Sequence, residues 1–199
     1  MKRFECLQAI ADKVGDALVV GSAGGATVEW YHLRPSDGNM RSRTLGLASS
    51  IGLGIALGLP HRKVIVLDGD GSLLMNLCGL PTAALAAPRN LIHIVFDNRV
   101  YESSGGSVTA TAGRTDLVAV ARAAGFPKAR WAESVEDFVR AVTDALAGDE
   151  LVFIGVRVEP GLAGIASPTI DDVENKYRFM RHIERLEGCR IFGSGYPDL

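Results

Sequence analysis

The sequence predicts an α/β fold: a doubly wound, mainly parallel sheet with helices on both faces, followed by a C-terminal helical tail. Three observations point there. Residues 17–20, 64–67, 91–96 and 151–158 are apolar runs without the polar alternation of a half-exposed strand, as in strands covered on both sides. Segments with helical spacing lie between them. Several runs also break at their carboxyl ends into polar or glycine-rich turns.

The elements follow in order. Phe4, Leu7, Ile10, Ala11 and Val14 recur at helical spacing, so the chain opens with a helix. A buried strand at 17–20 breaks into Gly21-Ser22-Ala23-Gly24-Gly25, and residues 32–43 read as a polar, turn-rich stretch. Residues 45–59 read as a helix carrying Gly52, Gly54 and Gly58, each costing about 1 kcal/mol relative to Ala. Close packing against a backbone or a ligand is the expected compensation. A second strand, 64–67, ends in Asp68-Gly69-Asp70-Gly71, and a helix over 73–86 is expected to kink or restart at Pro81. A third strand, 91–96, ends at Asp97-Asn98 and leads into a polar loop over 99–114. Then come a helix at 117–124, a short strand at 129–131, an amphipathic helix at 135–146 and the last strand at 151–158. The division expected is a domain over 1–159 and a tail over 160–199, whose helix at 171–187 carries a narrow stripe of Phe179, Ile183 and Leu186. That stripe suits either a partner chain or the tail's own domain.

Composition narrows the function. Of 199 residues, 47% are hydrophobic and 22% charged, which supports a sizeable core. Lys+Arg 21 against Asp+Glu 23 argues against a dedicated nucleic-acid surface. The longest apolar stretch, 45–60, is short for a membrane span and rich in Gly and Ser. Cys6, Cys78 and Cys189 show no metal-binding spacing, and unpaired thiols suit a reducing cytoplasm.

In open parallel sheets, ligands sit outside the carboxyl ends of the strands. Here those ends offer Gly24-Gly25, then Gly69-Asp70-Gly71-Ser72, then Asn98-Arg99-Val100-Tyr101. The set suits a magnesium diphosphate. Mg²⁺ takes about six oxygens, few of them from protein. Asp70 offers a charged oxygen, Asn98 a neutral one and Val100 a backbone carbonyl. Gly71 and Ser72 open a helix whose N–H groups can meet phosphate. Gly-Asp-Gly alone is a weak signal. Its pairing with Asn98, 28 positions on after an apolar strand, is much stronger.

On these residues the sequence resembles the thiamine diphosphate enzymes, whose cofactor motif is a GDG after one strand and an Asn, often the second of a pair, after the next. Asp97-Asn98 departs mildly from that Asn pair. The run 45–57 is similar to the segment preceding GDG in the family, which places Leu45 under the bend of the cofactor. The backbone around Arg43 and Leu45 would then meet the aminopyrimidine. Gly24 and Gly25 would meet the diphosphate, with Tyr101 and Ser103 beside it. More narrowly, residues 46–56, 68–76 and 98–106 resemble sulfopyruvate decarboxylase β subunits and phosphonopyruvate decarboxylases.

The resemblance implies a 2-oxo acid decarboxylase subunit using thiamine diphosphate and Mg²⁺. The carboxylate that activates the cofactor lies on a separate pyrimidine-binding domain in this family. No segment here resembles that domain, so the implied partner is a pyrimidine-binding α subunit. Three alternatives stand beside this reading. One is a β subunit of another thiamine diphosphate 2-oxo acid enzyme. Another is a nicotinamide-binding module built on Gly52, Gly54 and Gly58, whose spacing departs from the usual fingerprint. The third is a non-enzymatic interaction subunit that kept the fold and lost the chemistry, against which Asp70 and Asn98 are both present. Further loop candidates for anion contact are His32, Arg34 and Arg114. Cys78 and His93 are expected to be core residues, His93 with its hydrogen bonds satisfied.

Overall fold

The computed structural model describes residues 1–191 of the chain. Its elements are α1 (Arg3–Ile10), β1 (Leu18–Gly21), α2 (Gly25–Leu33), β2 (Asn39–Arg41), α3 (Ala48–Gly58), β3 (Val64–Gly69), α4 (Asp70–Leu74) and α5 (Gly79–Ala86). After them come β4 (Leu91–Asp97), β5 (Val100–Tyr101), β6 (Ser107–Val108), α6 (Leu117–Ala124), β7 (Lys128–Ala132), α7 (Val135–Ala147), β8 (Val152–Arg157) and α8 (Asp172–Glu187). Six strands form one parallel sheet in the order β2-β1-β3-β4-β8-β7, while β5 and β6 form a separate antiparallel hairpin.

Strand alternation divides the core in two. Ile65 and Leu67 of β3 pack with Leu7, Trp30 and Phe138 under α1, α2 and α7. Val64 and Val66 face the other way, toward Leu53, Leu80 and Val118 of α3, α5 and α6. A period of two thus feeds both layers from one apolar run. The chain leaves β1 toward β2 on one side and returns to β3 on the other. The carboxyl ends of β1 and β3 therefore flank the point where the winding reverses, and such points leave a crevice.

Several expectations need correction. The stretch at 25–41 contains α2 and the edge strand β2, neither of which was expected. The helix expected at 73–86 is two helices, α4 and α5, and the break falls at residues 75–78 rather than at Pro81. Pro81 sits in the first turn of α5, where its missing N–H has no intrahelical partner to lose. The glycines of α3 divide. A Cβ on Gly52 would lie 2.2 Å from Val66 Cγ2, so this glycine lets the helix settle on β3. Gly54 and Gly58 have nothing within 4 Å of such a Cβ, so close packing does not explain them. Because these glycines lie inside α3, no strand leads into them and the nicotinamide fingerprint is not formed.

The tail helix folds back on its own chain. Phe179 and Ile183 are buried in the second core layer and Leu186 packs against it. Asn175, 1% exposed, accepts from the backbone N–H of Arg41 and donates to the Asn39 carbonyl, closing the edge at β2. Residues 192–199 of the expected tail lie outside the described residues. No described helix is long and apolar enough to cross a membrane.

Candidate active site

A cavity of about 430 Å³ opens over the carboxyl ends of β1, β3 and β4. Gly24, Gly25, Arg43, Leu45, Gly69, Asp70, Gly71, Ser72, Asn98, Val100, Tyr101 and Ser103 all line it. Sequence reasoning named these twelve from four separate segments, and the sheet order brings them together.

Asp70 is the first residue of α4 and is 2% exposed. Its Oδ2 accepts from Thr109 Oγ1 at 2.6 Å and Thr111 Oγ1 at 3.0 Å. Burial pushes its carboxyl above the ordinary carboxylate range. The threonine bonds oppose that shift, and the nearby Asp97 charge adds to it. Asn98 follows β4, and its Oδ1 accepts from the Val100 N–H at 3.1 Å. Arg99 between them has φ +64°, a rare left-handed conformation for a residue with a side chain. The turn leaves Asn98 and Val100 on the same cavity wall.

Asp116, Ser134 and Asp171 cap α6, α7 and α8 with side-chain oxygens, whereas α1 to α5 have no side-chain cap. Two of these uncapped helices start at the cavity, α2 after Gly24 and α4 after Gly69. A Cβ at either glycine would meet nothing within 4 Å. These are open, uncapped N–H groups of the kind that receive an anion. Gly71 differs, because its missing Cβ lets the Tyr101 ring lie against it. Leu45 is set by its neighbour: the Gly46 N–H donates to Ser72 Oγ at 3.1 Å, and Asn76 Nδ2 donates to the Gly46 carbonyl at 2.8 Å.

A donor set of one carboxylate, one amide and backbone oxygen suits a hard cation that brings phosphate and water oxygens with it. Among the described residues no group of three or more His, Cys, Asp or Glu could hold a metal ion. Asp70, Asn98 and Val100 fit a magnesium diphosphate, and the two uncapped helix starts fit its phosphates.

Sequence reasoning missed part of this site. Arg3 and Glu29 form a bidentate pair, with Nε to Oε2 at 2.8 Å and Nη2 to Oε1 at 3.0 Å. They are only 5% and 1% exposed. Glu102 joins at 3.4 Å from Arg3 Nη1 and accepts from the Gly161 N–H. Arg3 Nη2 also donates to the Gly161 carbonyl, and the Ala163 N–H donates to Glu29. The cluster thus fastens the segment after β8 across the mouth, where Leu162 and Ser167 join the lining. Thr109, Thr111 and Arg41 were also missed. Arg41 and Arg43, two apart at the end of a short strand and just past it, were the one available signal.

Other candidates fall elsewhere. Arg34 donates to the carbonyls of Ala11 and Gly15, away from the cavity. His32 is exposed near Phe4, and neither it nor Arg114 lines the cavity. Cys78 is exposed, not core, and lies 2.8 Å from Asn76 Oδ1. His93 is buried as expected but is not satisfied. Its Nε2 has no hydrogen-bond partner and lies 3.5 Å from Asp68 Oδ2.

Residues 20–156 match the model of the thiamine pyrophosphate enzyme, C-terminal TPP binding domain. Sulfopyruvate decarboxylase subunit beta of Methanothermobacter thermautotrophicus is 40% identical over 184 residues, covering 92% of this chain and 96% of that protein. Phosphonopyruvate decarboxylase of Streptomyces viridochromogenes is 38% identical over 172 residues, covering 85% of this chain and 43% of that protein. Among solved structures, benzoylformate decarboxylase from Polynucleobacter necessarius superposes with a TM-score of 0.69 at 20% identity, over 81% of this chain and 34% of that one. At that identity the likeness shows the fold. The chain thus spans nearly all of the β subunit, under half of the phosphonopyruvate enzyme and about a third of the solved chain.

Proposed function

The chain belongs to the thiamine pyrophosphate enzymes, as their C-terminal TPP-binding domain, and on that premise we propose that it is the β subunit of a thiamine diphosphate-dependent 2-oxo acid decarboxylase. Its substrate in this reading resembles sulfopyruvate or phosphonopyruvate, which the names of the relatives support. The observation that carries the reading is the convergence of Asp70 and Asn98, from neighbouring strand ends, on one cavity with two uncapped helix starts.

Asp70 and Asn98, with the Val100 carbonyl, would hold Mg²⁺, and the Gly24–Gly25 and Gly69–Ser72 backbones would receive the diphosphate. Ser72 Oγ already accepts from Gly46, so its proton remains available for a phosphate oxygen. Leu45 would support the cofactor between its rings. The bound cofactor supplies the electron sink for loss of CO₂. This chain's part is to anchor, orient and shield it.

The group that activates the cofactor is assigned to a pyrimidine-binding partner subunit, making a cytoplasmic hetero-oligomer. The β-subunit relatives support that assignment. So do the phosphonopyruvate enzymes, in which the matching region is under half of a longer chain. Residues 1–159 are the diphosphate-binding unit in this reading and 160–199 its tail.

The test is decarboxylation of sulfopyruvate and phosphonopyruvate by the chain alone and with a pyrimidine-binding partner. Turnover is expected only with the partner. Robust turnover by the chain alone contradicts the division of labour.

A further inference from the structure

Three cationic side chains line the cavity: Arg3, Arg41 and Arg43. Arg3 is committed, since its nitrogens go to Glu29, Glu102 and the Gly161 carbonyl. The other two are only partly engaged, and Arg41 also lies over the Tyr31 ring, 5.9 Å from its centroid. Arg41 ends β2, and its side chain is 8% exposed. Its Nη1 donates to the Ile170 carbonyl at 3.2 Å, but its Nε is buried with no hydrogen-bond partner. The nearest carboxylate is Asp172 at the start of α8. Asp172 Oδ1 stands 3.9 Å from Arg41 Nε, beyond hydrogen-bond reach, and is itself buried without a partner. Asp172 Oδ2 pairs with Arg43 Nε at 3.2 Å. Two guanidiniums therefore share one carboxylate, and the more buried of them has an unused donor.

We propose that Arg41, with Arg43 beside it, receives the second anionic group of the substrate, a sulfonate or phosphonate, and that Asp172 is the resident counter-ion with which that group competes. The proposal deepens the decarboxylase reading and rests on it for the substrate class. Arg41 lines the cavity with its charge only partly met by Asp172. Such an under-paired guanidinium favours an oxyanion over a neutral group, and its planar fork matches tetrahedral oxyanions. The two arginines lie four and two residues before Leu45, away from Asp70 and Asn98. Their strand ends are separated from β2 by β1, so tail and metal recognition would use opposite sides of one hollow.

The test uses the full chain with thiamine diphosphate and Mg²⁺, titrated calorimetrically with sulfoacetate, phosphonoacetate and acetate. None of these can react. Wild type is expected to bind the two doubly charged probes about tenfold or more tightly than acetate. R41M should abolish that preference, R41K should retain part of it, and R43M should weaken it less, because Arg43 is 64% exposed. D172N, which leaves both arginines in place, should tighten the doubly charged probes about threefold or more. Equal binding of all three probes by wild type, or an unchanged preference in R41M, overturns the proposal. So does D172N binding no more tightly than wild type. A fall in cofactor affinity in R41M with probe selectivity intact assigns Arg41 to the diphosphate instead and also overturns it. Arg41-dependent selectivity without any cofactor binding would remove the decarboxylase reading and leave the anion site standing.

Discussion

Asp70 and Asp97 meet through a single hydroxyl: Thr111 Oγ1 lies 3.0 Å from Asp70 Oδ2 and 2.7 Å from Asp97 Oδ1. A hydroxyl has one proton, so it serves one carboxylate at a time. Thr109 Oγ1, at 2.6 Å, supplies Asp70 with a second donor. The residue that departs from the family's Asn pair is therefore built into the support of the residue assigned to the metal.

Thr111→Val tests that support. Hydrogen bonds to charged groups contribute roughly 1.5–3 kcal/mol, so affinity for magnesium–thiamine diphosphate should fall about tenfold or more. With the donor gone, Asp70 protonates more readily, and protons compete with the metal. The loss should be greater at about pH 5.5 than at about pH 8. Calorimetry at both pH values checks it.

Asp70→Asn should have opposite effects on stability and binding. The carboxyl is held above its ordinary range by burial, so its charged form is disfavoured in the fold. The stability linked to this group is present below its unfolded pKa and is lost as pH rises through its folded pKa. The cofactor-free variant should melt higher than wild type near neutral pH. A gain of about 1 kcal/mol corresponds to roughly 2–4 °C at this chain length. Added cofactor and Mg²⁺ should raise the melting temperature of wild type alone.

Two glycines of one helix should respond oppositely to alanine. Gly52→Ala pushes a Cβ to 2.2 Å from Val66 Cγ2 in the core. Overpacking of that kind costs about 1–3 kcal/mol, more than the helix propensity regained. Gly54→Ala meets nothing within 4 Å and should stabilise by about 0.5–1 kcal/mol. Urea midpoints of the two variants check the signs.

Glu29→Ala leaves Arg3 buried without its main partner, a change that costs about 3–5 kcal/mol for buried pairs. It also removes the acceptor for the Ala163 N–H. Amide exchange at 161–163 should rise in this variant. The double variant R3M/E29M should recover much of the global stability without restoring protection there.

Much of this was legible in the sequence for a physical reason. β1, β3, β4 and β8 are apolar on both faces, so composition alone marks them. The chemistry at their carboxyl ends is local, so Gly24, Asp70 and Asn98 could be read from short motifs. α2 was not legible, because Gly24 and Gly25 look like a turn and Trp30, Tyr31 and His32 blur the period. β2 is a three-residue edge strand whose pairing comes from β1 and from Asn175 of the distant α8. The Arg3–Glu29 pair and the Thr109–Thr111 support join residues whose relation exists only after folding. A polar loop gives no sign of which hydroxyls it will bury.

The most direct test of the central claim is calorimetric titration of thiamine diphosphate into the full chain, with and without Mg²⁺, for wild type and for Asp70→Ala. The account predicts binding that requires Mg²⁺ in wild type, weak in the absence of a partner subunit, and none in the variant. Equal binding by the two proteins, or binding indifferent to Mg²⁺, would contradict it.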